Sequence, residues 1–439
     1  MKKIAFVLAL ALFTSCLLFG CTGNPAAPAS TGGSTAGADG AGGQPVTLTF
    51  LNKYPEDNYR PYFEQAIRDF EALHPGVTIQ MESVSDEQIK DKLRVIAGGE
   101  LPDIFFTWPG EFQRKFDRAG LTLDVTSYLD ADPAWQSGFL PAVLETGVYE
   151  GRNHSIPFRY SAMFILYNKA IFEKYSLSEP KTYEEFLNIC ETLKQNGETP
   201  LLFGNAQTWY GAWYSGTFNQ LCVPYDTKMN DYNPAVGEFT DPGYIQALQS
   251  IVDLQTKGYF SPNVLSVDYY QAREQFCAGQ GAMIVDATSQ FSIYEENCAE
   301  DWGFFKVPPI AGAGGSADYI TGGAEAYAIS AKTQAPDMAV EFVKFLTTKE
   351  QAYKMTQETG LPNPIIGGID ENNSSARLVE AIDMVNQYKG IAAWLDTDVE
   401  AKVADAFMTA VSDCLGGKDP AEAMKSVQAA AKEVRDSQG

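Results

Sequence analysis

Between Val46 and Phe106 the apolar residues switch repeatedly between two periods, and that switching constrains the fold more than any other feature. Val46, Leu48 and Phe50 alternate with polar or small neighbours, the two-residue period of a half-buried strand. Phe63, Ala66, Ile67 and Phe70 then recur at helical spacing, and His74-Pro75-Gly76 turns the chain into a second strand, Val77 to Met81. Ile89, Leu93 and Ile96 lie at i, i+4 and i+7, one face of a helix. Gly98-Gly99 suits its end, because glycine accepts the left-handed conformation found there, and Pro102 cannot continue it. Ile104, Phe105 and Phe106 are too few for a helix and suit a buried strand. Strand, helix, strand, helix, strand gives an α/β fold with a largely parallel sheet covered on both faces. In such a sheet ligands bind beyond the carboxyl ends of strands. Two loops leave strands there, Asn52-Lys53-Tyr54 and Thr107-Trp108-Pro109-Gly110, so Trp108 stands where a ligand would be.

The chain has 439 residues, too many for one ordinary core and enough for about two to three domains. A net charge of −24 argues against nucleic acid or an anionic membrane surface as partner. Residues 1–20 read as a targeting segment: Lys2 and Lys3 precede the apolar run Ile4 to Leu12. Leu18-Phe19-Gly20-Cys21 resembles a bacterial lipobox, in which Cys21 is lipidated and becomes the first mature residue. Ser15-Cys16 competes less well, since Phe13 fits more poorly than leucine three places before the cysteine, and an ordinary signal peptide is the other reading. Residues 21–45 are rich in Gly, Ala, Ser, Thr and Pro and form a tether spanning roughly 25–30 Å as a coil. The five remaining cysteines, Cys190, Cys222, Cys277, Cys298 and Cys414, are odd in number and contain no CxxC pair. They signal neither a disulfide framework nor a zinc site, and one bridge such as Cys277–Cys298 stays open. Cys190 and Cys414 fall on apolar helix faces and suit a core.

Catalytic signatures are missing. Only His74 and His154 exist, and there is no G-x-S-x-G elbow, HExxH, P-loop or GxGxxG. A glycosidase would need two carboxylates about 5–10 Å apart, which 56 acids leave open. Asp396-Thr397-Asp398 lacks the remaining ligands of a calcium loop. What the chain does offer is aromatic and polar residues in loops after strands. The strand Leu201-Leu202-Phe203 opens into Gln207-Thr208-Trp209-Tyr210-Gly211-Ala212-Trp213-Tyr214, the densest aromatic cluster and read here as a loop. A pyranose has an apolar C–H face that stacks on Trp or Tyr and hydroxyls that need charged or amide partners. Core packing is the competing role for each aromatic.

Several phrases resemble one family. GGELPDIFFTW, the segment Gly120 to Leu129, Ile165-Leu166-Tyr167-Asn168-Lys169, Pro180-Lys181-Thr182-Tyr183-Glu184-Glu185-Phe186 and Phe276 to Met283 are similar to the extracellular solute-binding proteins (family 1) of carbohydrate ABC transporters, the maltose-binding-protein-like group. Thr182 and Glu185 also form a capping box. The resemblance covers nearly the whole mature chain. It implies a two-lobed periplasmic-binding-protein-like (type II) fold with a hinge, a central cleft and a mostly parallel sheet in each lobe. One lobe would be 46–158 with 320–362, the other 159–319 with 363–439, with crossings near Phe158–Ser161, Ala317–Thr321 and Leu361–Pro364. It implies a carbohydrate ligand, a mono- or oligosaccharide, delivered to ABC permease subunits by a monomeric lipoprotein on the extracytoplasmic face of the cell membrane. No enzymatic activity, cofactor or metal is implied.

The ligand residues carried over are Asn52, Lys53, Trp108 and Glu111 from the first lobe, and Arg159, Tyr160 and Ser161 from the first crossing. Trp209, Tyr210, Trp213, Asp286 and Ser289 come from the second lobe. Gly322, Gly323 and Glu325 come from the return strand, with Trp394 and Asp396 before the C-terminal helices. One departure stands out: many relatives carry Gly-Ser-Trp or Gly-Pro-Trp near Thr288, where this chain reads Asp286-Ala287-Thr288-Ser289. The same scaffold with a non-sugar solute, or an extracellular glycoside-active enzyme, are the rival readings. A concentrated Arg/Lys cluster expected of an anion-binding version is not present.

Overall fold

The computed structural model describes residues 45–96 and 101–438. Cys21, the signal segment, the tether up to Gln44 and the Gly98-Gly99 helix stop lie outside the described residues. The expected opening forms: β1 (Val46–Asn52), α1 (Arg60–Leu73), β2 (Val77–Ser83), α2 (Asp86–Ile96), β3 (Ile104–Thr107) and α3 (Glu111–Arg118) follow one another. β1 pairs in parallel with both β2 and β3, so the carboxyl ends of all three point the same way.

The sheet then departs from a parallel plan. β4 (Ser155–Asn168), β5 (Leu201–Leu202), β6 (Met283–Ala287), β7 (Trp302–Phe305), β8 (Tyr319–Ile329) and β9 (Gly390–Ala393) complete nine strands. Their order is β2-β1-β3-β8-β4-β6-β5, with β9 on β8 and β7 on β4. β8 runs antiparallel to β3 and β4, and β4 antiparallel to β6 and β7. The reason is topological: β4 leaves the apolar cluster around β1–β3 and β8 returns to it, so the two oppose each other. A two-residue apolar period carries no information about strand direction.

Three apolar clusters flank this sheet. One gathers β1–β3, α1 and the helix Pro336–Leu346 around Phe50, Phe63, Phe70, Phe105 and Phe342. A second collects α4 (Thr208–Cys222), α7 (Ala401–Leu415) and α8 (Pro420–Gln438). The third includes α5 (Tyr269–Cys277) and α6 (Phe291–Asn297). β4 threads between them: Ile156 and Phe158 belong to the first cluster, Met163 and Ile165 to the second, and Tyr160, Ala162, Phe164 and Leu166 to the third. Alternate residues of one strand thus cover opposite faces. β8 changes cluster between Ala324 and Tyr327, and its register on β4 slips between Glu325 and Ala326.

The Thr182–Glu185 capping box forms in both directions, Thr182 Oγ1 accepting from the Glu185 amide and Glu185 from the Thr182 amide. Cys190 and Cys414 are buried and free, as their helix faces suggested, while Cys277 and Cys298 are bridged. Among the described residues no helix is long and apolar enough to cross a membrane.

Candidate functional site

The loops after β1 and β3 open onto a cavity of about 370 Å³, lined from the first lobe by Lys53, Tyr54, Asp86, Lys90 and Trp108. Arg159 and Ser161 on β4 and Glu325 on β8 form its back. The opposite wall carries Trp209 and Trp213 of α4, Tyr269, Tyr270 and Arg273 of α5, Ser289, Trp394 and Asp396.

An alternating row of charges crosses this cavity. Arg159 and Glu325 face each other on antiparallel strands and pair at 2.7 Å, both nearly inaccessible to solvent. The register slip beside Glu325 re-aims the strand at this point. Tyr54 Oη donates to the same carboxylate and accepts from Arg159. Lys53 Nζ bridges Glu325 at 2.9 Å and Asp86 at 2.6 Å. Lys90 continues the row, 3.5 Å from Asp86 and 2.9 Å from Asp396 on the far lobe. Burial alone would discharge these groups. Asp86 and Glu325 outweigh burial at Lys53 and hold its ammonium above the usual range. Burial likewise opposes ionisation of Asp86, yet Lys53 and Lys90 hold it at about 2. Glu325 is also held low, Arg159 and Lys53 overcoming its burial. Three cations and three carboxylates thus cancel along the row.

The aromatic wall corrects the sequence reading. Trp209 to Tyr214 is not a loop but the first two turns of α4. Gly211 lies in the helix, where a Cβ would fall 2.2 Å from Asn205 Oδ1. Trp209 and Trp213 therefore sit one turn apart on one helix face, their rings 5.3 Å apart. Trp213 stacks on Trp394 at 4.6 Å and 19°. Trp209 meets Tyr269 at 5.0 Å. Trp394 in turn lies against the bare backbone of Gly323, where a Cβ would come within 2.5 Å of the indole. On the first lobe the Lys53 and Lys90 ammonium groups lie 5.5 and 4.9 Å from the Trp108 ring.

Ten of the carried-over residues thus meet at one cavity: Lys53, Trp108, Arg159, Ser161, Trp209, Trp213, Ser289, Glu325, Trp394 and Asp396. The others stand elsewhere. Asn52 is buried in the first lobe and accepts from Tyr327 Oη. Tyr160 packs in the third cluster. Tyr210 is fully buried and donates to the Val285 carbonyl. Gly322 allows β8 to pass the Ser161 carbonyl of β4, which a Cβ would strike at 2.2 Å. Glu111 is paired with Arg118 and faces a neighbouring cavity. Asp286 is fully buried and accepts from Tyr269, Tyr294 and its own neighbour's amide. Sequence reasoning missed Tyr54, Asp86, Lys90, Tyr269, Tyr270 and Arg273. A signal existed for two of them: Asp268 and Gln271 form a reciprocal capping box that puts Tyr269 and Tyr270 in a first helical turn. Among the described residues no group of three or more His, Cys, Asp or Glu is placed to hold a metal ion.

Asp286 supports the aromatic wall from behind and carries a pH signature. Burial pushes its carboxyl up to about 6, against the pull of its hydroxyl and amide donors and of Arg273. The folded state keeps this proton where the unfolded chain has lost it. Stability from this group therefore falls as pH rises from about 4 to about 6, by at most about 3 kcal/mol. Asp286→Asn should remove that slope. Urea unfolding of both proteins across this window checks it, and parallel pH profiles would count against it.

Residues 56–353 match the bacterial extracellular solute-binding protein family, and the chain belongs to it. It is 24% identical over 386 residues to the multiple sugar-binding protein of Streptococcus mutans, covering 85% of this chain and 87% of that one. The diacetylchitobiose binding protein DasA of Streptomyces coelicolor is 22% identical over 408 residues, 90% of this chain and 91% of its own. In fold the chain is similar to a solved chitin oligosaccharide binding protein, with a TM-score of 0.81 at 24% identity, spanning 90% of this chain and 100% of that one. It therefore has the two-lobed α/β architecture of these binding proteins.

Proposed function

We propose that this protein captures a carbohydrate in the cleft between its lobes and delivers it to the permease of an ABC importer. The observation that carries the reading is the pairing of a self-cancelling charge row with a wall of indoles. A neutral polyol needs donors and acceptors fixed in place, plus flat apolar surface for its C–H faces. A charged solute would instead need an excess of one sign, and the row has none. The ligands in the relatives' names, diacetylchitobiose and multiple sugars, support the same class. The protein acts as a binder, not a catalyst: Asp286, whose carboxyl burial pushes up to about 6, is fully buried behind Tyr269 and Tyr294, out of reach of a glycosidic oxygen. A thermal-shift screen against mono- and oligosaccharides tests the reading. A ligand at 100 times its Kd adds about 2.7 kcal/mol of stability, and no shift with any sugar would refute it.

Binding would draw together the lobes 46–158 with 320–362 and 159–319 with 363–439 about the crossing strands. The change of cluster at Glu325–Ala326 supports a second hinge within β8, a few residues beyond Ala317–Thr321. Solution scattering should show a smaller radius of gyration at saturating sugar, whereas an unchanged value would indicate a rigid module. The mature protein would be a monomer held at the extracytoplasmic face of the cell membrane by lipid on Cys21. That rests on Leu18-Phe19-Gly20-Cys21. Cys21→Ala should release the protein or leave it unprocessed, and an unmodified mature N-terminus elsewhere, found by mass spectrometry, would exclude the anchor.

A further inference from the structure

A second cavity, of about 360 Å³, lies beside the first. Asp86, Glu87, Lys90, Trp209 and Asp396 line both, so the two abut rather than stand apart. At the boundary the Lys90–Asp396 ion pair, 2.9 Å long, joins α2 to the opposite lobe, with the half-buried Trp209 ring alongside. Beyond it one wall is the face of α3 that carries Phe112 and Lys115, and the other the face of α7 that carries Ala401, Ala404 and Met408. Both walls offer apolar surface. The wall cations are unequal: Arg118 is paired with Glu111, whereas Lys115 has no carboxylate within 4 Å among the described residues. Its ammonium lies over the Phe112 and Phe116 rings, at 4.1 and 4.8 Å. Burial, with Arg94 nearby, pulls its proton affinity down to about 8, against the weaker opposing pull of Glu400 and Glu111.

Each cavity alone has the volume of about a dozen liquid waters, room for one or two pyranose rings. Resting on the carbohydrate reading above, we infer that the ligand is a chain of three or more sugar units. It would run past Trp209 and the Lys90–Asp396 pair, with its far end in the second cavity against Lys115. Trp209 would then serve both parts of the chain, and Lys115 would distinguish long ligands from short ones.

Calorimetry with malto-, xylo- and chito-oligosaccharide ladders of one to five units tests this. For a ladder that binds, affinity should rise about tenfold or more between the two-unit and four-unit members, as an added buried contact typically gives. Lys115→Met should remove most of that increment and leave the two-unit affinity unchanged. Ala401→Trp, which fills the second cavity from a half-exposed position, should do the same if Lys115→Met perturbs folding. Equal affinity at two and four units, or an increment that survives both variants, overturns the second cavity and leaves the carbohydrate reading intact. Failure of every ladder to bind overturns the second cavity, and the carbohydrate reading falls with it only if the thermal-shift screen shows no shift with any sugar.

Discussion

Glu325→Gln is expected to cost about 3–5 kcal/mol of folding stability, the loss typical of breaking a buried ion pair from one side. Glu325 accepts from Arg159, Lys53 and Tyr54 at once, and the side chains of Arg159 and Glu325 are only 6% and 7% exposed. Lys53 keeps Asp86, but Arg159 has no second carboxylate within salt-bridge reach among the described residues. The variant would leave a guanidinium desolvated and uncompensated. Arg159→Met combined with Glu325→Leu should cost far less than Glu325→Gln, since both charges then leave together. The sign with pH follows from the depressed carboxylates. Glu325 and Asp86 titrate below their unfolded values, so their stabilisation is complete above about pH 4–5 and is lost as pH falls through the folded values. The gap between wild type and Glu325→Gln should therefore narrow in acid. Urea unfolding at neutral pH and below pH 4 measures it. A neutral-pH difference under about 1 kcal/mol would place Glu325 among surface-like ion pairs.

The second large effect is on affinity. Trp213→Ala should weaken sugar binding about 30-fold, the equivalent of about 2 kcal/mol for an aromatic anchor. From sequence alone this variant is expected to leave the ligand-free protein almost untouched. The geometry changes that expectation. Trp213 is half-buried and stacks on Trp394, which itself rests on Gly323. Removing the ring should also cost about 1–2 kcal/mol of apo stability, less than the 3–5 kcal/mol of a fully buried tryptophan. Because the two indoles act as one surface, Trp213→Ala and Trp394→Ala should be less than additive in affinity. Calorimetry and unfolding on both single variants and the double variant separate the two effects. Unchanged affinity with a large stability loss would make Trp213 a packing residue only.

The local chemistry of this chain was legible in its sequence. The alternation of periods from Val46 to Phe106 gave β1 to β3 and their helices, and hence the loops that place Lys53 and Trp108 at one end of parallel strands. The Thr182–Glu185 box and the apolar faces holding Cys190 and Cys414 were equally plain, because each depends on residues within a turn or two of one another. What the tertiary structure decided was pairing at a distance. Arg159 meets Glu325 across 166 residues, and Lys90 meets Asp396 across 306. Which carboxylate neutralises which cation cannot be read from either neighbourhood. The same limit explains Asn52, Tyr160, Tyr210 and Asp286, which follow or occupy the right strands and helices but turn into the core. It also explains Trp209 and Trp213, whose glycine-flanked segment became a helix because the other elements of its lobe pack around it. A sequence period shows which side of an element is apolar. It does not show what covers that side, and burial, charge pairing and access to the cleft all follow from the cover.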